Sequence, residues 1–327
     1  MSKYVCFLYK LCQVMQYDPT LKKDSNRRPN HEKLGVHALV WEHGWSNEQA
    51  TRAINKSAEA GFDFIEAPSL DPSSINPAVT ARLLEQAGIG IAFSMGLDFD
   101  SDISSCDPDK EKRGKALLLD AVSVCRDCGG NSIAGILYSG FGKYFTQPTE
   151  DGIRRSAEIL HEVAEEAAKS DITLCLEVVN RYETNICNTA AQGVEMCKLV
   201  DSPNVKVHLD VYHMNIEESD VPSAIIEAGP HIGYFHTGDS HRGYLGTGSI
   251  DLQSVFRALV RAKYEGPITF ESFSSRVVNQ PLEGILAIWR NLWDDGYDLA
   301  THALMYTKVQ LKAAQEVERQ AERSRLL

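Results

Sequence analysis

The chain has 327 residues, of which 43% are hydrophobic and 24% charged, enough for a buried core and unlike the composition of a disordered chain. Its formal net charge of −12, from 33 basic against 45 acidic residues, gives a field that repels phosphate backbones and argues against nucleic acid as a partner. Eight scattered cysteines lack the density of a disulfide scaffold, so the expected compartment is a reducing cytoplasm.

The N-terminal "YVCFLYKLCQVMQY" is apolar but broken by Lys10 and lacks a small-residue cleavage site, which makes a weak signal peptide. No stretch approaches the roughly 20 apolar residues of a membrane span, so no membrane partner is expected. The polar "KKDSNRRPNHEK" follows. Residues 1–32 therefore read as an N-terminal extension, and 33–327 as the folded domain.

From Leu34 onward, short apolar runs alternate with longer amphipathic ones. The predicted strands are "LGVHALVW" (34–41), "FDFIEA" (62–67), "IGIAFSM" (89–95), "SIAGILY" (132–138), "ITLCLEV" (172–178), "VKVHLD" (205–210), "IGYFH" (232–236) and "PITFES" (267–272). Helices are predicted between them at 47–61, 108–129 and 150–169, several stopped by glycine. Consecutive parallel strands need such crossovers, and eight units point to an α/β fold with a single (β/α)8 TIM barrel. After the last strand, 281–295 reads as an amphipathic helix and about 299–325 as a long charged one, a C-terminal helical extension. Cys125 and Cys128 have C-x-x-C spacing, but no second pair or nearby His completes a zinc site. Two thiols near a helix end are expected there.

In such a barrel the active site lies at the C-terminal ends of the strands. Here those ends are Glu66, Glu177, Asp210, His236 and Glu271. Alternation in "VKVHLD" puts Val205, Val207 and Leu209 on one face and Lys206, His208 and Asp210 on the other, which would point into the barrel. By the same rule Thr173, Cys175 and Glu177 share a face, as do Ile232, Tyr234 and His236. Converging carboxylates must be paired, protonated or metal-bound. Two Glu, one Asp and one His form a hard, oxygen-rich set suited to a divalent ion such as Mn²⁺, Co²⁺ or Mg²⁺. Ordinary ion pairs with Arg or Lys at the barrel mouth are the alternative. Glu66, outside the consecutive run, reads as a hydrogen-bonding or structural acid. Trp41, Trp45, Phe141 and Phe273 are candidate walls of a pocket, with core packing equally open to Trp41. The glycine-rich "GYLGTGS" (243–249) lacks the Lys of a P-loop.

"LEVVNRYETN", "HLDVYHMNIEESD", "FHTGDSHRGYLGTGSID" and "FESFSS", with "GVHALVW" near the start, closely resemble the ketose 3-epimerases, the group of D-tagatose, D-allulose (D-psicose) and L-ribulose 3-epimerases. The resemblance runs from about Lys33 past "AIWRNLW" (287–293). It implies metal ligation by Glu177, Asp210, His236 and Glu271, with Glu177 and Glu271 also the catalytic pair. It further implies substrate binding by Glu183, His213 and Arg242, and a homodimer or homotetramer. His37 and Phe141 stand where some members carry other aromatic residues, and both bear on sugar preference. The implied reaction is epimerisation of a free ketose at C3, by deprotonation next to the C2 carbonyl and reprotonation on the opposite face through a cis-enediolate. An aldose–ketose isomerase or a hydroxypyruvate-isomerase-like enzyme on the same barrel is the alternative, since fold alone cannot separate them.

Overall fold

Every predicted strand forms, and the strands pair in parallel in chain order. They are β1 (Leu34–His37), β2 (Phe64–Pro68), β3 (Gly90–Leu97), β4 (Ser132–Gly140), β5 (Thr173–Val178), β6 (Val205–Asp210), β7 (Ile232–Thr237) and β8 (Ile268–Phe270). β8 pairs with β1 and closes the barrel. The structure is a computed structural model that describes residues 33–69 and 71–325. The expected N-terminal extension at 1–32 lies outside the described residues.

The helices between the strands are α1 (Asn47–Ala60), α2 (Pro77–Ala87), α3 (Pro108–Asp127), α4 (Glu150–Ala168), α5 (Ala190–Val200), α6 (Val211–Glu217), α7 (Val221–Ala228) and α8 (Leu252–Arg261). Local signals set their ends. Ser46 and Gln49 form a reciprocal capping box at the start of α1, and Gly61 stops it at φ 91°. Asp107 caps α3 through the amides of Asp109 and Lys110, with Pro108 at the first helical position.

Side-chain alternation sorts the strands into two cores. Outward residues such as Val205, Val207 and Leu209 join the large apolar layer beneath the helices. A separate cluster of Phe64, Ala92, Ala134, Cys175 and Tyr234 fills the barrel interior. Gly35 makes that filling possible, because a Cβ there would lie 2.2 Å from the Phe64 ring. Gly135 in β4 has φ 119°, and a Cβ on it would lie 2.0 Å from the Met95 carbonyl oxygen. Left-handed backbone and a backbone clash both oppose a side chain there. Gly135→Ala should therefore lose about 3 kcal/mol of stability, read from urea midpoints; an unchanged midpoint would contradict the packing described.

Cys125 lies in the last turn of α3 and Cys128 caps its C-terminus, both buried. Burial pushes both thiols up to about 12, which leaves little thiolate at neutral pH. Iodoacetamide on the native protein should label the exposed Cys106 and spare Cys125 and Cys128 in peptide mass mapping. Rapid labelling of that pair in folded protein would reopen a redox role.

Two expectations fail in detail. The first predicted strand ends at His37, where the imidazole accepts from the Leu39 amide and turns the chain into a 3-10 segment, Ala38–Val40. The amphipathic helix expected over 281–295 is reduced to α9 (Leu282–Ile285). Beyond it the chain becomes a strap across the barrel mouth: Ala287 takes φ 53°, Ile288 packs with Leu39, Phe273 and Val278, and the Trp293 indole donates to Ser272. Its apolar spacing reflects those separate contacts. The last helix, α10 (Gly296–Arg325), forms as expected and buries Leu299, Ala303, Leu304 and Leu311. Among the described residues, no helix is long and apolar enough to cross a membrane.

Candidate active site

The strand ends bring the predicted polar residues together. Glu177 projects from β5, Asp210 ends β6, His236 lies on β7, and Glu271 follows β8 by one residue. Asp210 pairs in register with His236 across β6 and β7. β5 and β8 are three strands apart in the closed ring, so the two glutamates approach from different sides of the mouth.

His236 Nδ1 lies 3.5 Å from Glu271 Oε2 and 3.9 Å from Asp210 Oδ2. His236 Nδ1 and Asp210 Oδ2 are both buried and make no hydrogen bond, Asp210 Oδ2 having the Arg242 guanidinium 3.0 Å away and His236 Nδ1 having no such charge partner, which is costly unless something else satisfies it. The other His236 nitrogen, Nε2, lies 2.8 Å from the Glu66 carboxylate. That bond places a proton on Nε2. It also favours a free Nδ1 lone pair facing the carboxylates once the ring is neutral. Candidate metal-holding groups include Asp210, His236 and Glu271, another of Glu177, Asp210 and His213, and a third of Glu177, His208 and His236.

His213 has the opposite polarity. Its Nδ1 accepts from the Asn180 amide at 3.2 Å and from Asn180 Nδ2 at 2.8 Å, so its Nε2 carries the hydrogen. The nearest Glu177, Asp210 and Glu183 carboxylate oxygens lie 3.7–3.9 Å from that nitrogen, and Arg242 Nη2 lies 3.5 Å from it. Burial lowers His213 to about 4, which keeps it a neutral donor. His208, placed inward by the alternation but not singled out beyond that, stacks edge-on against His236 at 4.1 Å and lies 3.8 Å from Glu177.

Arg242 contributes a fixed positive charge. Its Nη1 contacts Glu271 Oε2 and lies 3.0 Å from Asp210 Oδ2. The guanidinium stacks on Tyr212 at 4.1 Å and faces Phe273 at 5.1 Å. Its own backbone has φ 62°, held by a hydrogen bond to the Asp239 carbonyl. The Asp239 carboxylate in turn accepts from the Gly246 amide, so the glycine-rich loop supports the arginine. Ion pairing thus accounts for Glu271 and Asp210 in part, and leaves Glu177 with no Arg or Lys partner among the described residues.

The charges respond to these surroundings. Burial, with Glu271, Asp210 and Glu183 nearby, raises Glu177 well above the usual carboxylate range despite the opposing His236. Burial also raises Asp210 against the pull of Arg242. For Glu271, burial is outweighed by Arg242 and His236, which hold it well below the usual range. Three carboxylates facing one arginine form a donor set that suits a divalent cation.

Above this floor is a cavity, open to solvent, lined by His37, Phe141, Glu177, Glu183, His213, Arg242, Glu271 and Phe273. Leu39, Pro68, Ser94, Met95, Gly96, Gly135, Ile136, Leu282 and Leu286 complete the wall. None of those nine was a candidate in the sequence, because no charged or aromatic signal marks them. His37 donates from Nε2 toward Ser94 Oγ at 3.0 Å, its Nδ1 being occupied by the Leu39 amide. Trp45 is absent from this wall. It is buried in the apolar core with its indole donating to Thr80, because it lies beyond the turn that follows the short β1. Trp41 likewise packs in the core and donates to Ser57.

A parallel (β/α)8 barrel with Glu, Asp, His and Glu converging at its C-terminal mouth defines a sugar-isomerase type of site. The family model for the xylose isomerase-like TIM barrel matches residues 54–298. The L-ribulose 3-epimerase of Methylomonas sp. (strain DH-1) is 44% identical over 280 residues, covering 86% of this chain and 98% of that protein. A ketose 3-epimerase from Arthrobacter globiformis is 42% identical, covering 88% and 99%. The crystal structure of a D-allulose 3-epimerase from Methylomonas sp. in complex with D-allulose superposes with a TM-score of 0.84 at 44% identity, covering 86% of this chain and 98% of that one. The chain belongs to the ketose 3-epimerase family within the xylose isomerase-like TIM barrels.

Proposed function

We propose that the protein is a metal-dependent epimerase that interconverts free ketoses differing at C3, namely D-allulose and D-fructose, D-tagatose and D-sorbose, and L-ribulose and L-xylulose. The observation that carries this reading is the pair Glu177 and Glu271, reaching one cavity from β5 and β8. Inversion at C3 needs a proton removed on one face and one returned on the other, and two carboxylates on different sides meet that need. One takes the C3 proton as the C2 carbonyl becomes an enediolate oxygen. The other delivers a proton to the opposite face of C3, restoring the carbonyl.

Glu177, Asp210, His236 and Glu271 would hold the ion, and the buried His236 Nδ1, which has no hydrogen-bond partner, fits that role. A bound divalent cation supplies Lewis-acid stabilisation of negative charge on the ketose oxygens. Mn²⁺ is the proposed ion, with Co²⁺ and Mg²⁺ as the other members of the hard-ligand class. His213, with its Nε2 hydrogen directed into the cavity, and Arg242 orient the reacting end and favour negative charge on oxygen. Glu183 is held by Asn180 at 2.8 Å as an acceptor for a sugar hydroxyl. His37, Phe141 and Phe273 shape the remaining wall. The buried, unpaired thiols fit a cytoplasmic enzyme, and the resemblance to the epimerases carries the expectation of a homodimer or homotetramer.

The test is to incubate Mn²⁺-loaded protein separately with D-allulose, D-tagatose and L-ribulose and to separate the products by chromatography. The C3-epimeric ketose is expected in each active case. An aldose would instead move the assignment to an aldose–ketose isomerase.

A further inference from the structure

Glu66 is fully buried in the middle of β2 and is not part of the cavity wall. Its Oε2 accepts two hydrogen bonds, from His236 Nε2 at 2.8 Å and from the Tyr234 hydroxyl at 2.7 Å. Because the tyrosine hydrogen is committed to Glu66, the Thr269 hydroxyl, 2.7 Å from the same phenolic oxygen, must donate to it. Thr269, Tyr234, Glu66 and His236 thus form one directed chain with a single sense along its length. The chain ends at an imidazole whose other nitrogen faces Asp210 and Glu271.

A buried carboxylate is costly, and apolar residues of similar volume would often stabilise a barrel floor as well or better. What the carboxylate does that an apolar residue cannot is hold a hydrogen on Nε2 and fix the ring plane. We infer that Glu66 is a positioning residue, which sets the His236 ring so that Nδ1 is presented as a metal ligand, with Tyr234 and Thr269 setting Glu66. This inference rests on the proposed metal site and adds a residue to it. A carboxylate behind a ligating histidine commonly governs metal affinity by 10- to 100-fold.

Glu66→Gln tests this directly. A glutamine can turn its amide NH₂ toward His236, which would move the ring hydrogen to Nδ1 and oppose ligation. The measurement is the Mn²⁺ dissociation constant by competition with a fluorescent chelator, with the thermal midpoint of the metal-free protein recorded alongside. Glu66→Gln should bind Mn²⁺ about 10- to 100-fold more weakly, while Tyr234→Phe, which leaves the His236 bond in place, should change affinity by less than about 3-fold. Unchanged affinity in Glu66→Gln would overturn the inference and leave the metal reading standing. A wild-type protein that takes up no Mn²⁺ would overturn both. Should Glu66→Gln fail to fold, nitrogen-15 NMR of the Mg²⁺-loaded wild type decides: a hydrogen on His236 Nε2 and none on Nδ1 is expected, and the reverse would sink the assignment.

Discussion

Glu177→Gln and Glu271→Gln, each assayed at saturating Mn²⁺, should lower kcat on the preferred ketose by at least about 10³-fold, within the range for loss of a positioned proton-transfer group. An amide keeps the size and one oxygen of the carboxylate but cannot take up a proton at C3. The two variants should also differ from each other. If each carboxylate serves one face of C3, each variant should still exchange with solvent the C3 hydrogen of the one epimer that its remaining carboxylate faces, without converting it. Turnover within about 3-fold of wild type in either variant, with metal still bound, would remove that residue from the acid–base pair.

Metal removal should have the other large effect. Three carboxylates share the floor with one arginine, and among the described residues Glu177 has no arginine or lysine of its own. Lewis-acid stabilisation is worth several kcal/mol, so exhaustive EDTA treatment should lower the rate on the order of 10³-fold, and Mn²⁺ should restore it. Asp210→Asn should weaken the metal dissociation constant and cost activity that excess Mn²⁺ partly recovers. Binding also couples to stability: at 100 times its dissociation constant Mn²⁺ should add about 2.7 kcal/mol, a rise of about 5 °C in the thermal midpoint. A midpoint and a rate both indifferent to EDTA would contradict a metal-dependent reaction.

Much of this site was legible in the sequence because a barrel strand announces its inner face by alternation. "VKVHLD" separates Val205, Val207 and Leu209 from His208 and Asp210 without any knowledge of neighbours, and the observed strand keeps that division. Eight strand runs in series then fix which ends must meet. Relations across the barrel were not legible. Glu66 and His236 are 170 residues apart, and no local pattern says that one carboxylate would accept from that imidazole. The tautomers of His213 and His236 follow only from such partners. Trp45 misled for a related reason: an aromatic after a strand end suggests a pocket wall, but the turn at His37 sends it into the core against Thr80. The segment 281–295 misled because its apolar spacing matches a helix face, while Leu282, Leu286 and Ile288 pack on one small cluster with Leu39, Phe273 and Val278, and Trp293 packs in the main core. Periodicity records burial and is silent on what does the burying.

The proposed reaction exchanges a proton at C3 of a ketose between two carboxylates. The most direct measurement is to run Mn²⁺-loaded protein with D-allulose, D-tagatose or L-ribulose in D₂O and follow substrate and product by NMR. The account predicts a ketose epimeric at C3, with deuterium entering at C3. An aldose with label at C1 or C2, or an epimer formed at another carbon, would contradict it.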